Sequence, residues 1–270
     1  MSDAVKYTNK LQNARVLVIG GSSGLGFTAA EATLESGASA VIISSSNPSR
    51  VDTAIQRLSK TYPSRASALS GYACNLGDES HLEANIKSLF DSATENGAKK
   101  LDHVLFTAGD QLAIKPLTDA TFDFIKQAGM VRFFAPLLVG KYAKQHLKEG
   151  RESSYVITSG GVGHRPIPDW TILGSYASGQ QGMVRGLALD LAPRRCILIS
   201  PGAVETELWD TTDEERRSNL FKFTEKTSVT KKLAQPENVA EAYLYAMKDY
   251  NNTGTIVTTD SGFLLLGPGH

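Results

Sequence analysis

Glycines follow closely on an apolar run in the segment VLVIGGSSGLG, residues 16–26. Gly20, Gly24 and Gly26 fall where a strand is expected to turn into a helix. Glycine allows the backbone unusual dihedral angles and a close approach to a bound pyrophosphate, and the amino end of the next helix offers N–H donors and a positive dipole. We therefore predict a dinucleotide phosphate site in this turn, formed by Gly20, Ser22, Ser23, Gly24, Leu25 and Gly26.

A polar segment, SSSNPSR, follows the second apolar run at residues 44–50. An NAD enzyme usually carries an acidic residue here for the ribose hydroxyls, whereas hydroxyls and an arginine accommodate a 2′-phosphate. The segment therefore favours NADP(H) as the cofactor, held by Ser44, Ser45, Ser46, Asn47 and Arg50. The alternative is an ordinary turn of serines and Asn-Pro, with Arg50 opening the next helix.

The elements that would position these turns alternate along the chain. The apolar runs are 15–21, 40–44, 70–74, 103–109, 154–160, 196–202 and 254–260, and helix-length segments such as 119–148 and 176–192 lie between them. Strands that are apolar throughout, alternating with helices, predict an α/β fold: a Rossmann-type doubly wound parallel sheet with helices on both faces. We expect one domain over residues 1–270, with ligands bound at the carboxyl ends of the strands.

The composition restricts the binding partners. Lysine plus arginine and aspartate plus glutamate both number 28, so no net charge favours nucleic acid or an anionic membrane. We expect a small-molecule substrate and no metal. Cys74 and Cys196 are far apart in apolar runs, which favours buried, reduced thiols. The first residues carry no signal-peptide core, so we expect a cytoplasmic protein without a membrane segment.

A charged segment interrupts the alternation at residues 209–232. A long excursion between a strand and the last helix is typical of a loop that closes over a site. We predict a substrate lid over residues 203–232, with a solvated helical insertion as the alternative.

Several motifs occur in the order known from one family. The glycine spacing, CNLGD (74–78), TAG (107–109) and SPGAVETEL (200–208) together resemble the short-chain dehydrogenase/reductase family over residues 13–263. The resemblance implies that the cofactor also contacts Asn75, Leu76, Thr107, Ala108, Gly109, Pro201, Gly202, Val204 and Thr206. It also implies a homodimer or homotetramer, because the family commonly pairs its two long helices across such an interface.

The family's catalytic relay is missing. Carbonyl reducers of the family use a tyrosine as acid, a lysine one turn later, a serine and an asparagine, because hydride addition to a carbonyl makes an alkoxide that must take a proton. One alignment with the family places Tyr176 at the position of the acid and Gln180 at the position of the lysine. We prefer a second alignment, which follows from the match of GMVRGLALDLAP (182–193) and places Leu173 at the tyrosine position and Ala177 at the lysine position. The serine and asparagine positions then fall on Gly160 and Gly129.

Other polar and aromatic groups remain near the expected nicotinamide. The candidates for catalytic roles are Asp110, Arg132, Asp169, Trp170 and Tyr176. Three of them also have a structural alternative: Asp110 as a turn cap, Asp110 and Arg132 as a structural ion pair, and Trp170 as packing for its loop.

The missing relay restricts the reaction. Hydride converts an iminium cation to a neutral amine without a proton donor, and a nearby carboxylate stabilises the cation. An activated C=C bond is the next best acceptor. We therefore predict an NADPH-dependent oxidoreductase acting on such an acceptor, with a non-redox cyclase or isomerase, or a catalytically silent NADP-binding protein, as alternatives.

The RPxPxW loop at residues 165–170 extends the resemblance. Together with the eroded relay it resembles a divergent fungal subgroup of the family that includes reductase/Diels–Alderases of indole alkaloid biosynthesis, which implies specialised metabolism. Those cyclases carry an aspartate after the first proline of the loop, and Ile167 stands here instead, which counts against cycloaddition.

Overall fold

The computed structural model describes residues 5–210 and 214–266, and its centre is one sheet of seven parallel strands. The strands are β1 (Arg15–Ile19), β2 (Ala40–Ser45), β3 (Leu69–Ala73), β4 (His103–Phe106), β5 (Ser154–Thr158), β6 (Arg195–Pro201) and β7 (Ile256–Thr259). Their order is β3-β2-β1-β4-β5-β6-β7, so the chain builds outward from β1 and then continues on its other side from β4. The predicted doubly wound parallel sheet is confirmed.

Helices cover both faces of the sheet. They are α1 (Gly24–Glu35), α2 (Pro48–Thr61), α3 (Leu82–Ala93), α4 (Phe122–Gly129), α5 (Ala135–His146), α6 (Thr171–Asp190), α7 (Glu214–Thr227) and α8 (Pro236–Lys248). Buried residues of α1, α2 and α8 form one core cluster with the sheet, and those of α3, α5 and α6 form the other. Every residue of β4 and β6 is buried, which explains why these strands are mostly apolar.

The carboxyl ends of the central strands are level. Ile19, the last residue of β1, pairs with Ser44 in β2 and with Phe106 in β4. The segments that follow these strands therefore emerge side by side at one edge of the sheet. This edge is the position at which doubly wound folds bind ligands.

The helix predicted over residues 119–148 is interrupted. Residues Met130–Phe134 form a turn of π-helix between α4 and α5. Pro136 is the physical reason, because it has no N–H to donate to the carbonyl of Arg132, four residues earlier, and its ring crowds that carbonyl. Single π turns inside helices are frequent at functional sites.

The segment predicted as a lid, residues 203–232, contains a short 3₁₀ helix (Glu207–Trp209) and α7, while residues 211–213 lie outside the described residues. A backbone bridge between Val204 and Ala234 closes its base, and the buried Trp209 indole donates to the Val204 carbonyl. The lid function stays a prediction.

Both cysteines lie within the described residues as buried free thiols, as expected from the sequence. None of the helices formed by the described residues combines the length and apolar content needed to cross a bilayer.

Candidate active site

The glycine turn after β1 packs directly against the end of β4. Gly20 has a φ of +92°, and a Cβ added there would overlap the backbone of Ala108. A Cβ at Gly26 would overlap the carbonyl of Gly20 and the hydroxyl of Thr107. Side chains are thus excluded at both positions, and the open backbone at the start of α1 has the shape that a dinucleotide pyrophosphate requires.

The segment after β6 reaches the same turn. The Thr206 side chain lies 3.4 Å from the position of a Cβ on Gly24. The Gly24 N–H donates to Oε2 of Glu207 at 2.9 Å. Val204 is buried at the base of this segment, whereas Gly202 packs against Asp260 after β7. The structure therefore brings the predicted 201–206 segment to the phosphate turn and adds Glu207, a residue that sequence reasoning missed.

The predicted 2′-phosphate segment divides into structural and exposed groups. Ser44 is fully buried and acts through its carbonyl, which accepts from Gly20 N–H at 2.8 Å. Asn47 is the N-cap of α2, and its Oδ1 accepts from the Ser49 N–H at 2.9 Å. The prediction that the side chain of Ser44 reaches a phosphate is therefore wrong, because β2 buries it.

The exposed part of that segment faces the glycine turn. Ser45 is half-buried and accepts a hydrogen bond from the Ser22 hydroxyl at 3.0 Å, while Ser46 and Arg50 are exposed. These side chains are available to a 2′-phosphate at the edge of the sheet.

In the loop predicted to contact the adenine side of the cofactor, Asn75 makes two local hydrogen bonds. Its Oδ1 accepts from the Gly77 N–H at 3.0 Å, and its carbonyl accepts from Asn85 Nδ2 at 2.9 Å. Leu76 is buried beneath them. The loop is therefore held in shape by Asn75.

Helix α6 runs without a break through the relay region. Leu173 and Ala177, the preferred tyrosine and lysine positions, are both buried. The Ala177 carbonyl accepts from the Ser159 hydroxyl at 3.4 Å. Gly160, at the serine position, has open space beside it, since an added Cβ would meet no described heavy atom within 4 Å. The two preferred relay positions on α6 therefore present apolar side chains.

Tyr176 packs against the long helix. Its hydroxyl donates to the carbonyl of Ile125 at 3.0 Å, and its ring lies 5.2 Å from that of Phe133 between centroids. The ring fills the space above Gly129, so that a larger residue at Gly129 would overlap it. Burial raises the pKa of the Tyr176 phenol, which is the opposite of what a proton donor near neutral pH needs.

Gln180 stabilises the interrupted helix. Its Nε2 donates to the Arg132 carbonyl at 2.6 Å, the carbonyl to which Pro136 has no N–H to donate. Gln180 itself is buried. The residue of the long helix that reaches the end of β4 is Arg132 rather than Gly129, because the Arg132 guanidinium lies 3.0 Å from the position of a Cβ on Gly109.

Asp110 and Arg132 form an ion pair just beyond the carboxyl end of β4. The Nε of Arg132 lies 3.0 Å from Oδ1 of Asp110, and its Nη2 also donates to the Asp110 carbonyl. Burial raises the pKa of the Asp110 carboxyl, although the Arg132 guanidinium offsets part of that rise. The side chains are 35% and 23% exposed, so both remain accessible to a ligand.

The RPxPxW loop is fixed at both ends. The Lys115 N–H donates to the Asp169 carbonyl at 3.2 Å, which ties this loop to the one that carries Asp110. Asp169 is exposed with a φ of +66°, and the half-buried Trp170 is the N-cap of α6. Arg165 donates to the carbonyls of Phe263 and Leu266, and its guanidinium lies 4.7 Å from the Phe263 ring centre. The structure thus joins the loops that carry Asp110, Asp169 and Trp170.

A glycine cradle at the carboxyl edge of a doubly wound parallel sheet defines a dinucleotide-binding α/β protein. A family model described as an SDR-like Rossmann domain matches residues 7–266. The chain belongs to the short-chain dehydrogenase/reductase family.

Several relatives that are 30% or more identical to this chain are fungal proteins. The chain is 45% identical over 266 residues to the short-chain dehydrogenase/reductase fsr5 of Gibberella fujikuroi, covering 98% of this chain and 100% of that one. The solved structure of the MalC reductase/Diels–Alderase of Malbranchea aurantiaca superposes with a TM-score of 0.89 at 38% identity, covering 96% of this chain and 99% of that one. A small-chain dehydrogenase solved with NADPH shares the fold, with a TM-score of 0.74 at 21% identity, over 94% of this chain and 100% of that one.

Proposed function

We propose that the protein is an NADP(H)-dependent reductase that delivers hydride to an activated C=N or C=C acceptor in specialised metabolism. The observation that carries the proposal is the replacement of the family's proton relay. An Asp110–Arg132 ion pair lies beside Gly109 at the carboxyl edge of the sheet, while Leu173 and Ala177 stand at the preferred tyrosine and lysine positions. When bound, NADPH supplies the hydride.

The cofactor assignment is supported by the cradle and by the segment after β2. Gly20 and Gly26 allow the turn after β1 to pack directly against the end of β4, which leaves the backbone at the start of α1 in the form that binds a pyrophosphate. Ser45, Ser46 and Arg50 offer hydroxyls and a cation at the adenosine side, where an NAD enzyme would have an acid. The same fold holds NADPH in a solved small-chain dehydrogenase.

The acceptor assignment follows from proton balance. A ketone would require a donor for the alkoxide oxygen, yet the Tyr176 hydroxyl is engaged with the Ile125 carbonyl and its pKa is raised by burial. An iminium carbon gains the hydride as a new C–H bond, and the C=N π electrons become the lone pair of a neutral amine, so no proton is required. An enone gives an enolate that water can protonate.

The ion pair has two tasks in this proposal. The Asp110 carboxylate stabilises a cationic acceptor by direct charge attraction, which is stronger in a partly desolvated site than in water. The Arg132 guanidinium offsets part of the rise that burial causes in the pKa of that carboxyl, and so favours its ionised form. Asp169 and Trp170 supply a further carboxylate and an aromatic face from the adjacent loop.

The test is stereospecific deuterium transfer from labelled NADPH across a panel of iminium, enone and ketone substrates. We expect label in the iminium product, less in the enone and least in the ketone. Asp110→Asn should lower kcat/KM for the cationic iminium more than for the neutral enone, while Asp119→Asn, a change at a carboxylate of an exposed short helix after the same strand, should affect neither. A ketone reduced as fast as the iminium would contradict the proposal.

A non-redox cyclisation is the second candidate, because a relative 38% identical to this chain is described as a reductase/Diels–Alderase. Turnover that leaves the oxidation state of the cofactor unchanged would favour it. Tight NADPH binding without turnover on any acceptor would instead indicate a silent NADP-binding protein.

A further inference from the structure

An anion already lies at the amino end of α1. Oε2 of Glu207 accepts the Gly24 N–H at 2.9 Å, although the two residues are separated by 183 positions in the chain. The N-cap residue, Ser23, makes no side-chain capping bond with any residue that the structure describes, and the first turn of α1 has no acidic residue. Glu207 therefore supplies the negative charge that the helix lacks locally.

The position of this carboxylate coincides with the proposed pyrophosphate site. Gly24 has a φ of +50° and lies in the cradle between Gly20 and Gly26. The N–H groups at the start of α1 are the donors that a pyrophosphate would take. The carboxylate and the pyrophosphate are both anions that need the same donor, so they cannot share it without electrostatic repulsion.

We propose that Glu207 occupies the pyrophosphate position in the cofactor-free protein and leaves it when the dinucleotide binds, so that this residue sets the affinity for the cofactor. The proposal rests on the proposed NADP(H)-dependent function. Cofactor binding then breaks the contact between the segment after β6 and α1.

The displaced contact is linked to α7 through the short 3₁₀ helix Glu207–Trp209. Glu207 begins the short helix that ends at Trp209, and the Trp209 ring packs edge-on against Phe221 in α7 with centroids 6.4 Å apart. Release of Glu207 therefore removes a contact that holds the start of this short helix against α1.

Glu205 offers a matched control. It lies two residues earlier on the same segment, but its Oε2 accepts from Gln235 Nε2 at 2.9 Å instead of from Gly24. Glu205→Gln and Glu207→Gln each remove one negative charge from the same exposed stretch. Only the second variant weakens the contact with the Gly24 N–H, because the neutral amide oxygen of glutamine can accept this hydrogen bond but carries no negative charge.

The experiment measures the dissociation constants of NADP+ and of adenosine 2′-monophosphate by calorimetry and competition. The second ligand keeps the adenine-side phosphate and lacks the pyrophosphate. We expect Glu207→Gln to bind NADP+ about fivefold more tightly than the wild type, the scale of one helix-terminus charge interaction. Its binding of the monophosphate should be unchanged, as should the binding of both ligands by Glu205→Gln. Amide hydrogen exchange at residues 207–210 should rise in the wild type when NADP+ is added, and unchanged or slower exchange there would contradict the displacement of Glu207.

Equal tightening in both variants, or for both ligands, would show a general charge effect and overturn the inference. Weaker NADP+ binding by Glu207→Gln would show that the carboxylate holds the cofactor, which also overturns it. A wild type that binds no NADP(H) would instead refute the proposed function, so the two failures are distinguishable.

Discussion

Replacing Tyr176 by phenylalanine tests whether a proton relay is present. The change removes one hydroxyl and keeps the ring that packs against Phe133 and over Gly129. In a reductase with a tyrosine acid, loss of that hydroxyl removes general acid catalysis, typically 10²–10⁴-fold in rate. We expect the rate of hydride transfer to stay within about threefold of the wild type, because the hydroxyl is bonded to the Ile125 carbonyl and its pKa is raised.

Tyr176→Phe is expected to lower the free energy of unfolding. The lost hydrogen bond is 3.0 Å long and partly buried, so its net contribution is about 1 kcal/mol. For a chain of this size, that corresponds to a fall in Tm of roughly 2 °C. Thermal unfolding followed by circular dichroism measures the change.

Tyr155 is the matched control. It is fully buried, and its hydroxyl donates to the Pro136 carbonyl at 2.9 Å, away from the candidate site. Tyr155→Phe should also destabilise the fold by about 1 kcal/mol and leave the reaction unchanged. The two variants should therefore behave alike in both assays. A loss of two or more orders of magnitude in kcat for Tyr176→Phe alone, with the fold intact, would refute the reasoning and restore the register with Tyr176 as the acid.

Three other substitutions test separate parts of the molecule. Arg50→Glu should weaken NADPH binding about tenfold or more, by replacing a charge-assisted contact with repulsion, and should affect NADH much less; equal losses in fluorescence titrations would argue against a 2′-phosphate site. Gln180→Leu should lower the free energy of unfolding by about 1–3 kcal/mol, because it removes the Gln180 donor from the Arg132 carbonyl. Urea titration measures this change, and an unchanged free energy would show that another group donates to the carbonyl. We propose that the protein forms a homodimer or homotetramer through α5 and α6, so Leu189→Arg, at a leucine that is 81% exposed, should lower the mass measured by light scattering; an unchanged assembly would place the interface elsewhere.

The sequence by itself was sufficient for the fold and for the class of site. Apolar strands alternating with amphipathic segments allow few arrangements besides a covered parallel sheet, and the glycine spacing at the first strand end identifies the phosphate turn. The absence of a lysine from residues 171–190 is likewise visible without coordinates. These features depend on local periodicity and on residue type, which a single chain displays directly.

Tertiary structure decided which side chains meet. Ser44 and Asn47 belong to a motif that fits a phosphate, yet one is buried by β2 and the other caps α2. Pro136 could be recognised as a helix breaker, but the rescue of the Arg132 carbonyl by Gln180 depends on how α6 packs against the long helix. The contact between Glu207 and Gly24 spans most of the chain and has no local pattern, because a helix terminus accepts an anion from any segment that folding brings to it.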